Sequence, residues 1–212
     1  ADELLESLAM NVRLERDDLQ PDIEVFSVQE MLERIDSLYA TRAEQQGLRW
    51  RVLPSLSLVS SNPQLLERMV CNLVSNAMRY TRHGGVVLSC RTRSAHLLIQ
   101  VWDTGQGIPL HEQAAIFDAH HRGSAARPDD KGLGLGLSIV SRCARLLGIR
   151  VGLKSVPGRG SRFELWVPLA PGDACHVNAD AGTAGAPAPA TAPSAAWQTP
   201  APTMPAHPPR SG

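Results

Sequence analysis

Asn72 and Asn76 stand four residues apart in a stretch whose apolar residues repeat at helical spacing. At about 100° per residue, Leu66, Met69, Val70, Leu73, Val74 and Ala77 share one broad face, and Arg68, Asn72, Asn76 and Arg79 form a polar stripe on another. A solvated surface accounts easily for the two arginines. It accounts less well for two asparagines inside a helix, because Asn competes with the backbone for hydrogen bonds and prefers caps. Asparagine oxygens suit a hard cation, and a guanidinium suits phosphate. On the stripe alone, the surface reading and the ligand reading both stand.

Two further segments carry polar groups with a purpose. The first is V-W-D-T-G-Q-G-I-P at 101–109. Leu97, Ile99, Val101 and Asp103 share strand parity, which puts the Asp103 carboxylate on the core-facing side of the strand end. An ionised group there is costly unless something donates to it. The plain reading is a strand-end Asp opening a turn, with Gly105 and Gly107 as turn glycines. The functional reading is a carboxylate accepting from a ligand amino group, with the glycines clearing space. The second segment is K-G-L-G-L-G-L at 131–137, directly before a helical pattern. Backbone amides of a glycine-rich loop, together with a helix N-terminus, make a site for phosphate oxygens. Two familiar phosphate motifs are missing: there is no G-x-x-x-x-G-K-[ST], and the R-P-D-D-K ahead of the glycines is not the strand a dinucleotide fingerprint needs.

Ordered elements must hold these groups. Ser27-x-x-Glu30 reads as a capping box for a helix carrying Val28, Met31, Leu32, Ile35, Leu38 and Tyr39. Residues 48–53 suit a strand. Asn62 followed by Pro63 is an N-cap with Pro at the first helical position, and that helix should run to about Tyr80. His83-Gly84-Gly85 is a turn, followed by strands over 86–93 and 97–103. A loop-rich stretch with short helices covers 104–131. A helix over 134–147 stops at Gly148, and strands over 150–155 and 161–169 join through Pro157-Gly158. The order implies an α/β chain: a two-layer sandwich with helices on one face of a mixed sheet.

Composition bounds the rest. The 212 residues carry 21 Lys+Arg against 21 Asp+Glu, so a nucleic-acid binder working through a broad basic field is not indicated. No apolar run approaches the ~18 residues of a membrane span. The acidic, amphipathic start A-D-E-L-L-E is unlike a signal peptide, and its lack of Met fits processing or a fragment. Cys71, Cys90, Cys143 and Cys175 are widely spaced, which suits reduced thiols better than disulfides or zinc. In residues 1–19, Leu5, Leu8, Val12 and Leu19 make one narrow apolar stripe suited to packing on another helix. Residues 171–212, rich in Ala and Pro and poor in charge, read as a disordered tail in which Trp197 is a stray aromatic. The ordered unit is therefore expected over 20–170.

Taken in order, N-L-V-S-N-A-M-R-Y-T (72–81), D-T-G-Q-G-I-P (103–109), I-F-D-A-H-H-R-G (116–123) and G-L-G-L-G-L (132–137) resemble the N, G1, F and G2 boxes of bacterial sensor histidine kinases. Those boxes belong to the Bergerat ATP-binding fold, shared with gyrase, Hsp90 and MutL. The resemblance covers about 26–169, and P-G-R-G-S-R-F-E-L-W-V-P matches the closing hairpin; residues 1–19 resemble the end of the family's dimerisation hairpin. The resemblance implies ATP and Mg²⁺ as ligands. It makes Asn76 the amide ligand of Mg²⁺, sets Asn72 one turn away beside the phosphates, and gives Arg79 a phosphate contact. Tyr80 would line the nucleotide. Asp103 would accept from the adenine amino group, and Gly105, Gly107 and Ile108 would shape the adenine pocket. Gly132, Leu133, Gly134, Leu135, Gly136 and Leu137 would form a mobile lid over the phosphates. Ser161 falls where the family often has Thr, and Arg122 would add a phosphate contact.

ATP-hydrolysing relatives of the gyrase type carry a Glu four residues before the metal-binding Asn, as general base for water. Here that position is Asn72, and an amide cannot take a proton near neutral pH. The site is thus fitted to transfer rather than hydrolysis. The F box departs from the family by having His120 in place of a second Phe, which leaves room for a noncatalytic nucleotide-sensing module. Asn62 stands where Asp is common, and either caps a helix. None of the seven histidines sits in a phosphoacceptor motif like H-E-x-R-T-P, since His111-Glu112 is followed by Gln113-Ala114-Ala115. No catalytic acid, base or nucleophile is therefore assigned within the chain. The implied partners are a dimerisation and phosphoacceptor hairpin, in cis or in trans, and a response regulator. A homodimer is expected of the full-length protein, with no nucleic acid and no membrane contact by this segment, in a cytoplasmic setting that includes the cytosolic part of a membrane-anchored sensor.

Overall fold

Among the described residues, seven strands and three α-helices follow in the order β1 (Glu24–Ser27), α1 (Val28–Gln45), β2 (Arg49–Val52), β3 (Leu58–Ser61), α2 (Pro63–Tyr80), β4 (Gly85–Arg93), β5 (His96–Asp103), α3 (Gly136–Leu147), β6 (Arg150–Val156) and β7 (Gly160–Pro168), with a 3-10 turn at Ala115–Phe117 before α3. The computed structural model describes residues 20–117 and 135–172. Expectations for residues 1–19 and the tail beyond 172, and for His120, Arg122, Gly132, Leu133 and Gly134, lie outside the described residues.

Five strands form one mixed sheet in the order β2-β4-β5-β7-β6, with β2 parallel to β4 and the other pairs antiparallel. The helices lie against one face of it, as the sequence implies, and the core sits between the layers. Met31 and Leu32 of α1, Leu66 and Leu73 of α2, and Ile139 of α3 are fully buried with Leu88, Ile99 and Leu165 of the sheet.

Local chemistry explains the helix ends. The Asn62 side chain accepts from the Leu65 amide at 2.9 Å, and Pro63 occupies the first turn of α2, where a missing N–H costs nothing. Helix α3 ends at Gly148, whose left-handed conformation lets the Ile149 amide reach the Ala144 carbonyl at 2.8 Å. The capping box at α1 does not form. Ser27 makes no side-chain cap, because it is the last residue of β1, paired with Leu58, and the Val28 amide donates to the Ser57 carbonyl instead. Leu38, placed by its spacing with the apolar residues of α1, is 63% exposed; it lies at the margin of the stripe set by Val28, Leu32, Ile35 and Tyr39.

The sequence reading also omits a small antiparallel sheet of β1 and β3. It pairs Glu24 with Ser61 and Ser27 with Leu58, and a bridge from Val59 to Leu169 ties it to the chain beyond β7. None of the described helices is long and apolar enough to cross a membrane.

Candidate nucleotide site

The N-cap fixes the start of α2, and its apolar face fixes the rotation. With Leu66, Met69, Leu73 and Val74 buried, Asn72, Asn76 and Arg79 emerge on the opposite side, partly exposed. The Asn72 side chain donates to the Arg68 carbonyl one turn earlier, at 3.0 Å. Its Oδ1 faces the first residue of α3. A Cβ placed on Gly136 would lie 3.2 Å from Asn72 Oδ1, and 3.5 and 3.7 Å from Asn76 Nδ2 and Oδ1. The two asparagines and the glycine-rich segment, sixty residues apart in sequence, thus meet at one cradle that only a glycine leaves open.

Asp103 ends β5, opposite Ser161 of β7. Its Oδ1 accepts from the Gly105 amide at 2.8 Å and the Ser161 amide at 3.2 Å. Burial pushes its carboxyl up to about 6, partly countered by those two amides and the Ser161 hydroxyl. An acid held at this poise sits at the wall of a cavity rather than in a turn of no consequence.

Gly105 and Gly107 are needed for close approach as much as for turning. A Cβ on Gly105 would sit 2.5 Å from the Tyr80 carbonyl oxygen and 2.9 Å from Asp103 Oδ1. At Gly107, φ is +69° and a Cβ would collide with the Val156 carbonyl. The loop is tied to the β6–β7 hairpin by the Gly158 amide donating to the Gln106 carbonyl at 2.7 Å and the Ile108 amide donating to Ser155 Oγ at 2.8 Å. The Ser155 hydroxyl lies 3.0 Å from that of Ser161, which joins the loop to the Asp103 end of the site.

These elements enclose a pocket with about 700 Å³ of space, counting the part open to solvent. Asn76, Tyr80, Asp103, Gly107, Ile108, Leu137 and Ser161 line it, as the sequence leads one to expect. Asn72, Arg79, Gly105 and Gly136 lie outside its wall, and Leu135 is 5% exposed in the core. Ala77, Gln106, Pro109, Glu112, Ile116 and Phe163 also line it and were not anticipated. Phe117 of the F box packs edge-on against Phe163, with ring centroids 6.5 Å apart, so the F-box aromatic supports the apolar wall from the core side. The I-F pair was a usable signal for Ile116. For Phe163 there was only its parity with Ser161. Glu112 is 8% exposed and stands 3.6 Å from the His111 ring.

An apolar pocket with a buried carboxylate in its wall, and two amide side chains nearby beside a helix start, suits a purine bearing a polyphosphate. Among the described residues no cluster of His, Cys, Asp and Glu could hold a metal ion. A hard cation here would rest on amide oxygen and on the phosphates themselves, and the Asn72–Asn76–Gly136 cradle fits that donor set.

A profile of the family described as "Histidine kinase-, DNA gyrase B-, and HSP90-like ATPase" matches residues 61–171. The chain belongs to this ATP-binding family. Among its relatives, the sensor histidine kinase RcsC of Salmonella typhimurium is 32% identical over 161 residues, which are 74% of this chain and 17% of RcsC. The sensor protein kinase PmrB of Pseudomonas aeruginosa is 33% identical over 173 residues, 81% of this chain and 36% of PmrB. The chain therefore spans only a minor part of either relative. In structure it is similar to ShkA, solved full-length in complex with AMPPNP, with a TM-score of 0.69 and 27% identity over 79% of this chain and 35% of ShkA. The fold is also that of the Acinetobacter baumannii histidine kinase AdeS, with a TM-score of 0.63 and 20% identity, covering 80% of this chain and 79% of that one.

Proposed function

We propose that residues 20–170 are the ATP-binding catalytic domain of a two-component sensor histidine kinase, presenting Mg-ATP for γ-phosphoryl transfer to a histidine on a dimerisation hairpin. The observation that carries this reading is the meeting of Asn72 and Asn76 with Gly136 beside a pocket floored by Asp103. Asp103 accepts from the adenine amino group, while the Gly105 and Ser161 amides hold the carboxylate in place. Tyr80, Ile108 and Phe163 cover the base and exclude water. Asn76 would supply an amide oxygen to Mg²⁺, which when bound would neutralise phosphate charge. Asn72 and Arg79 flank the phosphates, beside the start of α3 at Gly136.

The nucleophile comes from the partner hairpin, in cis or in trans, and a response regulator is the onward acceptor. The full-length protein works as a homodimer in the cytoplasm or as the cytoplasmic part of a membrane-anchored sensor. The test has two steps. Mg-ATP is titrated into the chain by calorimetry, and then the chain is mixed with an acceptor hairpin and probed for acid-labile, base-stable phosphorylation. Magnesium-dependent binding followed by such a mark is the expected result. Absence of binding would turn the reading toward a nucleotide-independent partner module.

A further inference from the structure

All three described α-helices pack on one face of the five-stranded sheet, and the alternate strand residues form a second face on which no described helix lies. Seven of those residues are basic: Arg49, Arg51, Arg91, Arg93, Arg150, Lys154 and Arg162. Among the described strand residues of this face Glu164 is the only acid. It is buried and already engaged, at 3.0 Å from Arg162 and 2.7 Å from the Gln100 amide. The whole chain carries equal numbers of acidic and basic residues, so this face is charge gathered in one place rather than a basic protein.

Two tryptophans order that charge. The Arg150 guanidinium carbon lies 3.7 Å from the ring centroid of Trp166, and that of Arg162 lies 4.4 Å from the centroid of Trp102. Stacking fixes a long side chain on its ring and keeps its in-plane N–H groups for an acceptor, so less rotamer entropy is lost on binding. The face looks away from the nucleotide pocket, since Asp103, Ser161 and Phe163 have the opposite parity on the same strands.

The charge of this face suits an anionic occupant, and the rings narrow its class. Sheets that hold single-stranded nucleic acid stack bases on open aromatic faces. Here both tryptophans are covered by guanidiniums, and a buried carboxylate lies between them on β7. Apart from Arg162, which already meets Glu164, the face offers guanidinium forks, which carboxylates meet two oxygens at a time, and one ammonium. With strands about 4.8 Å apart, an extended segment of roughly five residues crosses it. We propose that this helix-free face docks a carboxylate-rich segment of a protein partner, independently of the nucleotide pocket.

The probe is a fluorescein-labelled oligoglutamate peptide, titrated by anisotropy into the full chain at low and high salt, beside a labelled oligothymidylate of matched length. The peptide is expected to bind, more weakly at high salt, and the oligonucleotide to bind less tightly. Arg93→Glu with Lys154→Glu should weaken the peptide by at least about tenfold while leaving Mg-ATP affinity unchanged. Arg42→Glu with Arg145→Glu, the same charge change placed on helices, should leave peptide binding near wild type. Arg93→Gln with Lys154→Gln repeats the test with a smaller change should the reversal disturb folding. Failure of the peptide to bind, tighter binding of the oligonucleotide, or equal loss in the sheet and helix variants would overturn the proposal.

Discussion

Burial and hydrogen bonding pull the Asp103 carboxyl in opposite directions, and burial prevails. Its folded value of about 6 lies above the ordinary 3.8. Folding therefore favours the protonated form, and the stabilisation is full below about pH 4 and is lost as pH rises through about 6. At neutral pH Asp103→Asn removes a buried charge while keeping an acceptor for the two amides. The unliganded variant should gain on the order of 1–3 kcal/mol in denaturant unfolding. The same variant should lose about 1–3 kcal/mol of nucleotide affinity, because a charge-assisted bond to adenine is gone. Calorimetric titration checks both this and a fall in wild-type affinity below about pH 6; unchanged affinity would remove Asp103 from the adenine contact. Asn76→Asp makes the complementary case. It should upset Mg-ATP binding while leaving the circular dichroism melt close to wild type, since Asn76 is partly exposed and outside the core. A globally unfolded variant would mark a structural asparagine. At this scale the sequence was informative where type and period conflicted: an Asp on a buried parity, two asparagines inside a helix. Glu112 and Phe163 were not legible, because their place in the wall depends on which strand and which loop lie opposite, and spacing does not encode that.

At the scale of elements, legibility followed how local the determinant is. Helix α2 was readable from Asn62-Pro63, whose cap bond spans three residues. The sheet of β1 and β3 was not, because each strand has only four residues and its partner lies more than thirty residues away. That same pairing displaced the capping box at Ser27, a case of tertiary contact overriding a local motif. Two glycines of the hairpin region separate conformation from contact. Gly107 and Gly158 both have positive φ, at +69° and +75°, but a Cβ on Gly107 would strike the Val156 carbonyl and one on Gly158 would meet nothing within 4 Å. Gly158→Ala should therefore cost only about 1 kcal/mol, with nucleotide binding retained. Gly107→Ala should cost several times that, because the loop must leave the hairpin, and should abolish binding in the same titration. Equal effects would mean that the loop is free to move without disturbing the pocket.

For the whole molecule, the decisive question is what becomes of the γ-phosphate. The pocket gathers side chains from α2, the end of β5, the loop after it, the start of α3 and β7, and no single segment would identify it. On the proposed reading, the position that carries the general base in gyrase-type hydrolases is an amide here. Asn72 occupies that position, its amide nitrogen bonded to the Arg68 carbonyl at 3.0 Å and its oxygen turned to the Gly136 cradle. With ATP bound as proposed, water near the phosphates would find no proton acceptor at Asn72, whereas an incoming imidazole would bring its own nucleophilic nitrogen. With saturating Mg-ATP the chain should release phosphate at the buffer background in a coupled assay, and an added acceptor hairpin should become phosphorylated. Glu112 provides the internal control, because among the described residues it is the other carboxylate in the pocket wall. Glu112→Gln should leave the background unaltered. Steady phosphate release by the wild type that disappears in Glu112→Gln would make this buried carboxylate the base of a hydrolase and overturn the transfer reading.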